Sequence, residues 1–273
     1  MKRIALSVLS LIFITSCAGK NDVSQSSTYE NTTESEYSRM LDFYRSGNIS
    51  YETSAPEIND VLETLKDISF YRDGKKTSGK LYLPEGNGPF PTVVLSGGYY
   101  APMTDYEDEA AQFAENGCAA IVFDFIFTEE CDGQNGGLSL FSEVTDLSAV
   151  LDSLSYLPQT DTDNIFLWGH SFGGLVSTYV GCKRHEDIRG LILVEPSYDM
   201  YDIYDMMPMF DKDVMIFAGT QGDHIGKRGY EKALGCLPSA DVVPIEGADH
   251  YFCDEYGRTA VDKAVKFIAE HII

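Results

Sequence analysis

From Ile68 onward, short apolar runs alternate with stretches whose apolar residues recur at helical spacing. Residues 70–83 hold two strand-like runs on either side of Asp73-Gly74, a tight-turn dipeptide, and predict a hairpin at a sheet edge. Pro91 opens Thr92-Val93-Val94-Leu95, a β-branched run of the kind buried on both faces of a parallel sheet. Thr104 and Glu107 form a capping box ahead of Ala110, Ala111, Phe113 and Ala114, and Gly117 supplies a left-handed stop, so a helix is expected between them. A strand over residues 119–125 follows, then a helix carrying Phe141, Val144, Leu147, Leu151 and Leu154 that ends before Pro158. Further strands are expected at residues 165–168, 191–194, 214–218 and 242–245, with a closing helix over residues 258–271. This alternation predicts an α/β fold, a mostly parallel sheet with helices on both faces. In such sheets ligands bind beyond the carboxyl ends of the strands, so polar residues just after strands are the candidates for chemistry.

The start of the chain departs from this pattern. Lys2-Arg3 precede an apolar run from Ile4 to Ile14, too short to span a bilayer and suited to a secretory signal. Ile14-Thr15-Ser16-Cys17 resembles a bacterial lipobox, which implies cleavage before Cys17, lipid on its sulfur and tethering to the membrane through that anchor alone, outside the cytoplasm. Residues 18–54 are rich in Ser, Thr, Asn and Glu and read as a flexible spacer. The expected organisation is a signal over residues 1–16, a spacer over 17–54 and one α/β domain over 55–273. Removing Lys2 and Arg3 takes the formal charge from −23 to −25, which excludes nucleic acid as a partner by like-charge repulsion. Beyond Cys17 the five cysteines Cys118, Cys131, Cys182, Cys236 and Cys253 cannot all pair within one chain, and none are close enough in sequence to suggest a zinc site.

The chemistry concentrates after the strand at residues 165–168. There Gly169-His170-Ser171-Phe172-Gly173-Gly174 leads into the apolar Leu175-Val176, the strand, sharp turn and helix of a nucleophile elbow. The flanking glycines let Ser171 take a strained backbone conformation that presents its hydroxyl. A serine needs a base, and among five histidines His250 follows the last strand in Gly247-Ala248-Asp249-His250, where a loop can swing its imidazole over the sheet. The orienting carboxylate should follow a late strand: Asp223 in Gly219-Thr220-Gln221-Gly222-Asp223 is expected, with Glu195 after the preceding strand as its competitor. The oxyanion donors expected are the N–H of Phe172 and one from Ser96-Gly97-Gly98-Tyr99, Gly98 first and Tyr99 as the alternative.

The run Phe70-Tyr71-Arg72-Asp73-Gly74, Gly79-Lys80-Leu81-Tyr82-Leu83-Pro84, Phe123-Asp124-Phe125, Glu143, Asp146 and the Ser171 elbow resembles the α/β-hydrolase superfamily, especially its cinnamoyl (feruloyl) esterase and serine-aminopeptidase-like branches. The resemblance covers about residue 70 to the C-terminus and implies a cofactor-free, metal-free serine hydrolase acting on a small-molecule ester, with exopeptidase or amidase action by the same triad as the alternative and a catalytically silent surface-binding protein on the same fold as a remote one. It implies structural or site-shaping roles for Asp124, Glu143 and Asp146. Cinnamoyl esterases carry a substantial insertion after the sixth strand, whereas here the 17 residues 197–213 stand in its place, and Ser96 replaces the usual His before the oxyanion glycine.

Overall fold

In the computed structural model, residues 33–126, 139–221, 231–237 and 239–273 are described. The expected signal, Cys17, Cys131 and Asp223 lie outside the described residues. Residues Arg39–Ile273 form one compact unit that contains all nine described strands. These are β1 (Glu57–Leu62), β2 (Leu65–Arg72), β3 (Lys75–Tyr82), β4 (Phe90–Ser96), β5 (Ala119–Phe123), β6 (Thr160–His170), β7 (Ile188–Val194), β8 (Val214–Gly219) and β9 (Ala240–Ile245). They form one sheet in the order β1-β2-β3-β5-β4-β6-β7-β8-β9. The first three strands and the β3–β5 pair are antiparallel, and every later pair is parallel.

The helices are α1 (Thr33–Ser46), α2 (Glu107–Glu115), α3 (Leu140–Ser153), α4 (Phe172–Lys183) and α5 (Glu255–His271). One apolar layer joins α3 and α4 to one sheet face through Val144, Leu147, Val176 and Val180, and the other joins α2 and α5 to the opposite face through Phe113, Val261 and Ala264. From β4 the chain passes to β5 on one side and then to β6 on the other, so the crevice at their carboxyl ends is a topological switch point.

The hairpin forms as its sequence requires: Arg72 pairs with Lys75, while Asp73 and Gly74 have φ of 53° and 73°, the left-handed pair of a two-residue turn. Arg72 beside it is buried and donates to Asp146 at 2.6 Å, tying β2 to α3. Asp146 also accepts the Ile126 N–H at 3.0 Å, and Asp124 accepts the Met103 N–H at 2.7 Å, so both carboxylates hold loops in place. Glu143 is fully buried without a hydrogen-bond partner among the described residues, and burial, then Asp146, holds its carboxyl well above the usual range.

Two local expectations change, and one strand appears where the sequence pattern predicts none. The polar lead-in does not continue as a spacer to residue 54: α1 forms within it, and its Phe43 is buried against Phe141 and Tyr179 at ring distances of 5.4 and 5.1 Å. Strand β1 carries no burial pattern because all six of its residues are exposed, so it is defined only by pairing with β2. The capping box at Thr104 does not form: Met103–Tyr106 is a 3₁₀ turn, and the Glu107 carboxylate binds Lys80 and Tyr82, each at 2.8 Å.

Candidate active site

Five strand ends converge on one cleft. Ser96 ends β4, His170 ends β6, Val194 ends β7, Gly219 ends β8, and the loop after β9 carries His250. Ser171 has φ 54° and ψ −117°, the strained turn between β6 and α4. A Cβ on Gly169 would lie 2.5 Å from the Gly173 carbonyl oxygen, and one on Gly173 would lie 2.2 Å from that of Ser96, so both glycines are sterically required. The elbow is fixed further by the Ser171 N–H donating to the Val194 carbonyl at 2.9 Å.

The Ser171 Oγ lies 3.0 Å from His250 Nε2 and 3.1 Å from Ser197 Oγ. His250 Nδ1 is buried and makes no hydrogen bond among the described residues. Among the described residues the carboxylate at ion-pair distance is Glu195, itself buried and strained at φ 44°. Its Oε1 accepts the Gly219 N–H at 2.6 Å, and its Oε2 lies 3.7 Å from His250 Nδ1, at ion-pair distance but beyond hydrogen-bond length. Asp223, the carboxylate expected from the sequence, lies outside the described residues.

The expected oxyanion donors fall on both sides of the serine. Phe172 opens α4, so its N–H is one of the first-turn donors that no helical carbonyl can reach. Gly98 is close to Ser171, yet its N–H donates to the Tyr106 hydroxyl at 2.9 Å, which removes the donor that the loop sequence put first. Tyr99, the alternative, follows it and lays its ring 5.6 Å from that of Phe172.

The cleft has a volume of about 700 Å³ and reaches from Ser171 and His250 across Tyr251 and Phe252. Asp105, Asp108, Glu109 and Asp254 line it with Arg258, and burial pushes the Glu109 carboxyl up to about 7. Residues 197–213 send Tyr198, Ile203, Tyr204, Met207 and Phe210 into the core while Met200 and Met209 stay exposed, and Tyr198 shares a 2.8 Å hydrogen bond with Thr178. Among the described residues no group of three His, Cys, Asp or Glu is placed to hold a metal ion, and Cys118, Cys182, Cys236 and Cys253 are free thiols.

Two contributors were not visible in the sequence. Ser197 touches the nucleophile because the chain doubles back after β7, and its own N–H donates to the Ser171 carbonyl at 3.0 Å. Its only sequence signal is a position just after a strand. Tyr106 reaches His170 across 64 residues, and nothing local marks it.

A sheet of this order with a serine elbow at its switch point is the α/β-hydrolase fold, and the chain falls in that superfamily. The family model described as "Serine aminopeptidase, S33" matches residues 88–224, half of the chain, and the chain belongs to that family. It is 28% identical over 153 residues to the Esterase FrsA of Yersinia pestis, a stretch covering 55% of this chain but only 35% of that relative. Among solved structures it is similar to Est1E of Butyrivibrio proteoclasticus bound to ferulic acid, with TM-score 0.63, 19% identity, and coverage of 73% of this chain and 96% of that one. A dienelactone hydrolase from Anabaena variabilis gives TM-score 0.65 and 17% identity, covering 82% and 99%. At these identities the two structures show a shared fold.

Proposed function

We propose that the protein is a serine carboxylesterase that cleaves small esters through an acyl-Ser171 intermediate. The observation that carries this reading is the 3.0 Å contact between Ser171 Oγ and His250 Nε2 on a strained elbow facing the cleft. In the proposed reaction His250 Nε2 takes the Ser171 proton as Oγ attacks the acyl carbon. The tetrahedral oxyanion is held by the N–H groups of Phe172 and Tyr99, since that of Gly98 is bound to Tyr106. His250 returns the proton to the departing alcohol, and water attacks the acyl-serine by the same route in reverse. Glu195 is the proposed partner of His250 Nδ1. As the imidazolium forms, Nδ1–H gains a charge-assisted bond to Oε2, closing a distance that is 3.7 Å at rest.

Residues 197–213 are too few for a separate cover and turn five of their apolar side chains into the core, so the proposed acyl site is shallow, and a long chain would leave apolar surface in water. On para-nitrophenyl esters kept below their aggregation limits, kcat/KM is expected to peak between acetate and butyrate. It is expected to fall at least about tenfold at dodecanoate, about 1.4 kcal/mol of transition-state stabilisation. A maximum at decanoate or beyond would move the assignment to a lipase with a long acyl groove. A second reading, cleavage of aminoacyl amides, draws on one observation: four carboxylates against one arginine in the cleft favour a substrate amine. Faster turnover of aminoacyl anilides than of simple esters would establish that reading instead.

Tethering through lipid on Cys17 is also proposed, because the apolar run ending at Ile14 leads into a lipobox-like sequence. Among the described residues no helix is long and apolar enough to cross a membrane. Metabolic labelling with a fatty-acid analogue is expected to mark the wild type and not Cys17→Ala; label retained in the variant would contradict the anchor.

A further inference from the structure

Behind the cleft, a chain of hydrogen bonds links the loops that carry both expected reacting groups. The Gly98 N–H donates to the Tyr106 hydroxyl at 2.9 Å, the hydroxyl meets His170 Nδ1 at 2.8 Å, and His170 Nε2 meets the His250 carbonyl oxygen at 2.7 Å. Tyr106 and His170 are both buried. The directions are fixed by chemistry. A carbonyl only accepts, so His170 Nε2 carries a proton and donates to His250. Burial draws the His170 imidazole down to about 4, so at neutral pH its Nδ1 holds a lone pair, and the Tyr106 hydroxyl donates to it. The same hydroxyl oxygen accepts from Gly98. Every polar atom in this relay therefore has a partner, and the bonds taken together hold one tautomer of His170.

Resting on the esterase reading above, we infer that Tyr106 and His170 are positioning residues: their hydrogen-bond relay clamps the backbone of the His250 loop to the elbow and anchors the Ser96-Gly97-Gly98-Tyr99 loop, setting the base and the Tyr99 N–H against Ser171. Among the described residues, the other hydrogen bond between the loop after β9 and the elbow is the Ser171–His250 contact itself, which must change during turnover. His170 grips the carbonyl of the base residue, leaving the His250 ring free to exchange its proton while its backbone stays fixed. The rings of the two histidines lie 5.3 Å apart, so a slip of the clamp moves the base directly. A displacement of about 1 Å at a reacting group can lower a rate by about a hundredfold.

Tyr106→Phe keeps the ring and removes the hydroxyl, freeing His170 to take the tautomer that cannot hold the His250 carbonyl. His170→Leu deletes the grip, whereas His170→Gln keeps a side-chain N–H to offer that carbonyl. Turnover of para-nitrophenyl acetate by the full chain should be expressed per active site, titrated with a fluorophosphonate, so that misfolded protein does not count. Tyr106→Phe and His170→Leu are expected to lower kcat at least about tenfold with KM within about twofold, and His170→Gln to recover most of the loss. A packing role would instead lower the titrated fraction and leave kcat per site unchanged. That result in Tyr106→Phe, or equal loss in His170→Gln and His170→Leu, would overturn the relay. Failure of the wild type to take the fluorophosphonate or turn over any ester would overturn the esterase reading itself, which the variants' kcat ratio does not address.

Discussion

Ser171→Ala is expected to lower kcat on the best small ester by on the order of 10⁵ to 10⁶, leaving only the rate that the oxyanion donors and binding supply without a nucleophile. The hydroxyl meets His250 and Ser197 at 3.0 and 3.1 Å, and its contribution to packing is small. The elbow strain resides in the backbone, and alanine at φ 54° is no more strained than serine. The urea midpoint of Ser171→Ala should therefore stay close to that of the wild type. Comparable turnover by a purified, folded Ser171→Ala protein would remove this serine from the mechanism.

The second large effect separates two carboxylates. Glu195→Gln is expected to lower kcat by roughly 10³ to 10⁴. The amide oxygen can still take the Gly219 N–H that Oε1 holds at 2.6 Å, so the fold of the loop is preserved. The amide NH₂ then faces His250 Nδ1 and donates to it, which puts the imidazole proton on Nε2 and removes the lone pair that must accept from Ser171. Asp223→Asn is expected to be mild by comparison. Steady-state kinetics on both variants decides the matter: loss of several orders of magnitude in Asp223→Asn, with Glu195→Gln within about tenfold of wild type, would place the acid after β8 instead of β7.

Much of the architecture was legible because its strands are buried on both faces and therefore read as unbroken apolar runs, as in Val93-Val94-Leu95 and Leu191-Ile192-Leu193. The elbow was legible for a different reason: Gly169 and Gly173 face backbone atoms so closely that no other residue fits, and that steric demand writes itself into sequence. Strand β1, exposed along its length, had no such signature, and a single docked phenylalanine, Phe43, made α1 part of the fold where composition suggested a spacer. The site was legible only where a residue directly follows a strand. Tyr106 acts through a contact made in the folded chain alone, and its occupation of the Gly98 N–H could not be read from a glycine pair that suits an oxyanion loop equally well.

Covalent cleavage of esters at Ser171 can be checked by capturing the nucleophile. The wild-type protein is treated with a fluorophosphonate, its intact mass is measured, and the adduct is located by peptide mapping. One adduct per chain is expected, on Ser171, with ester turnover falling in proportion to the modified fraction. An adduct on another residue, or full ester hydrolysis by protein that carries the adduct on Ser171, would contradict covalent cleavage at this serine.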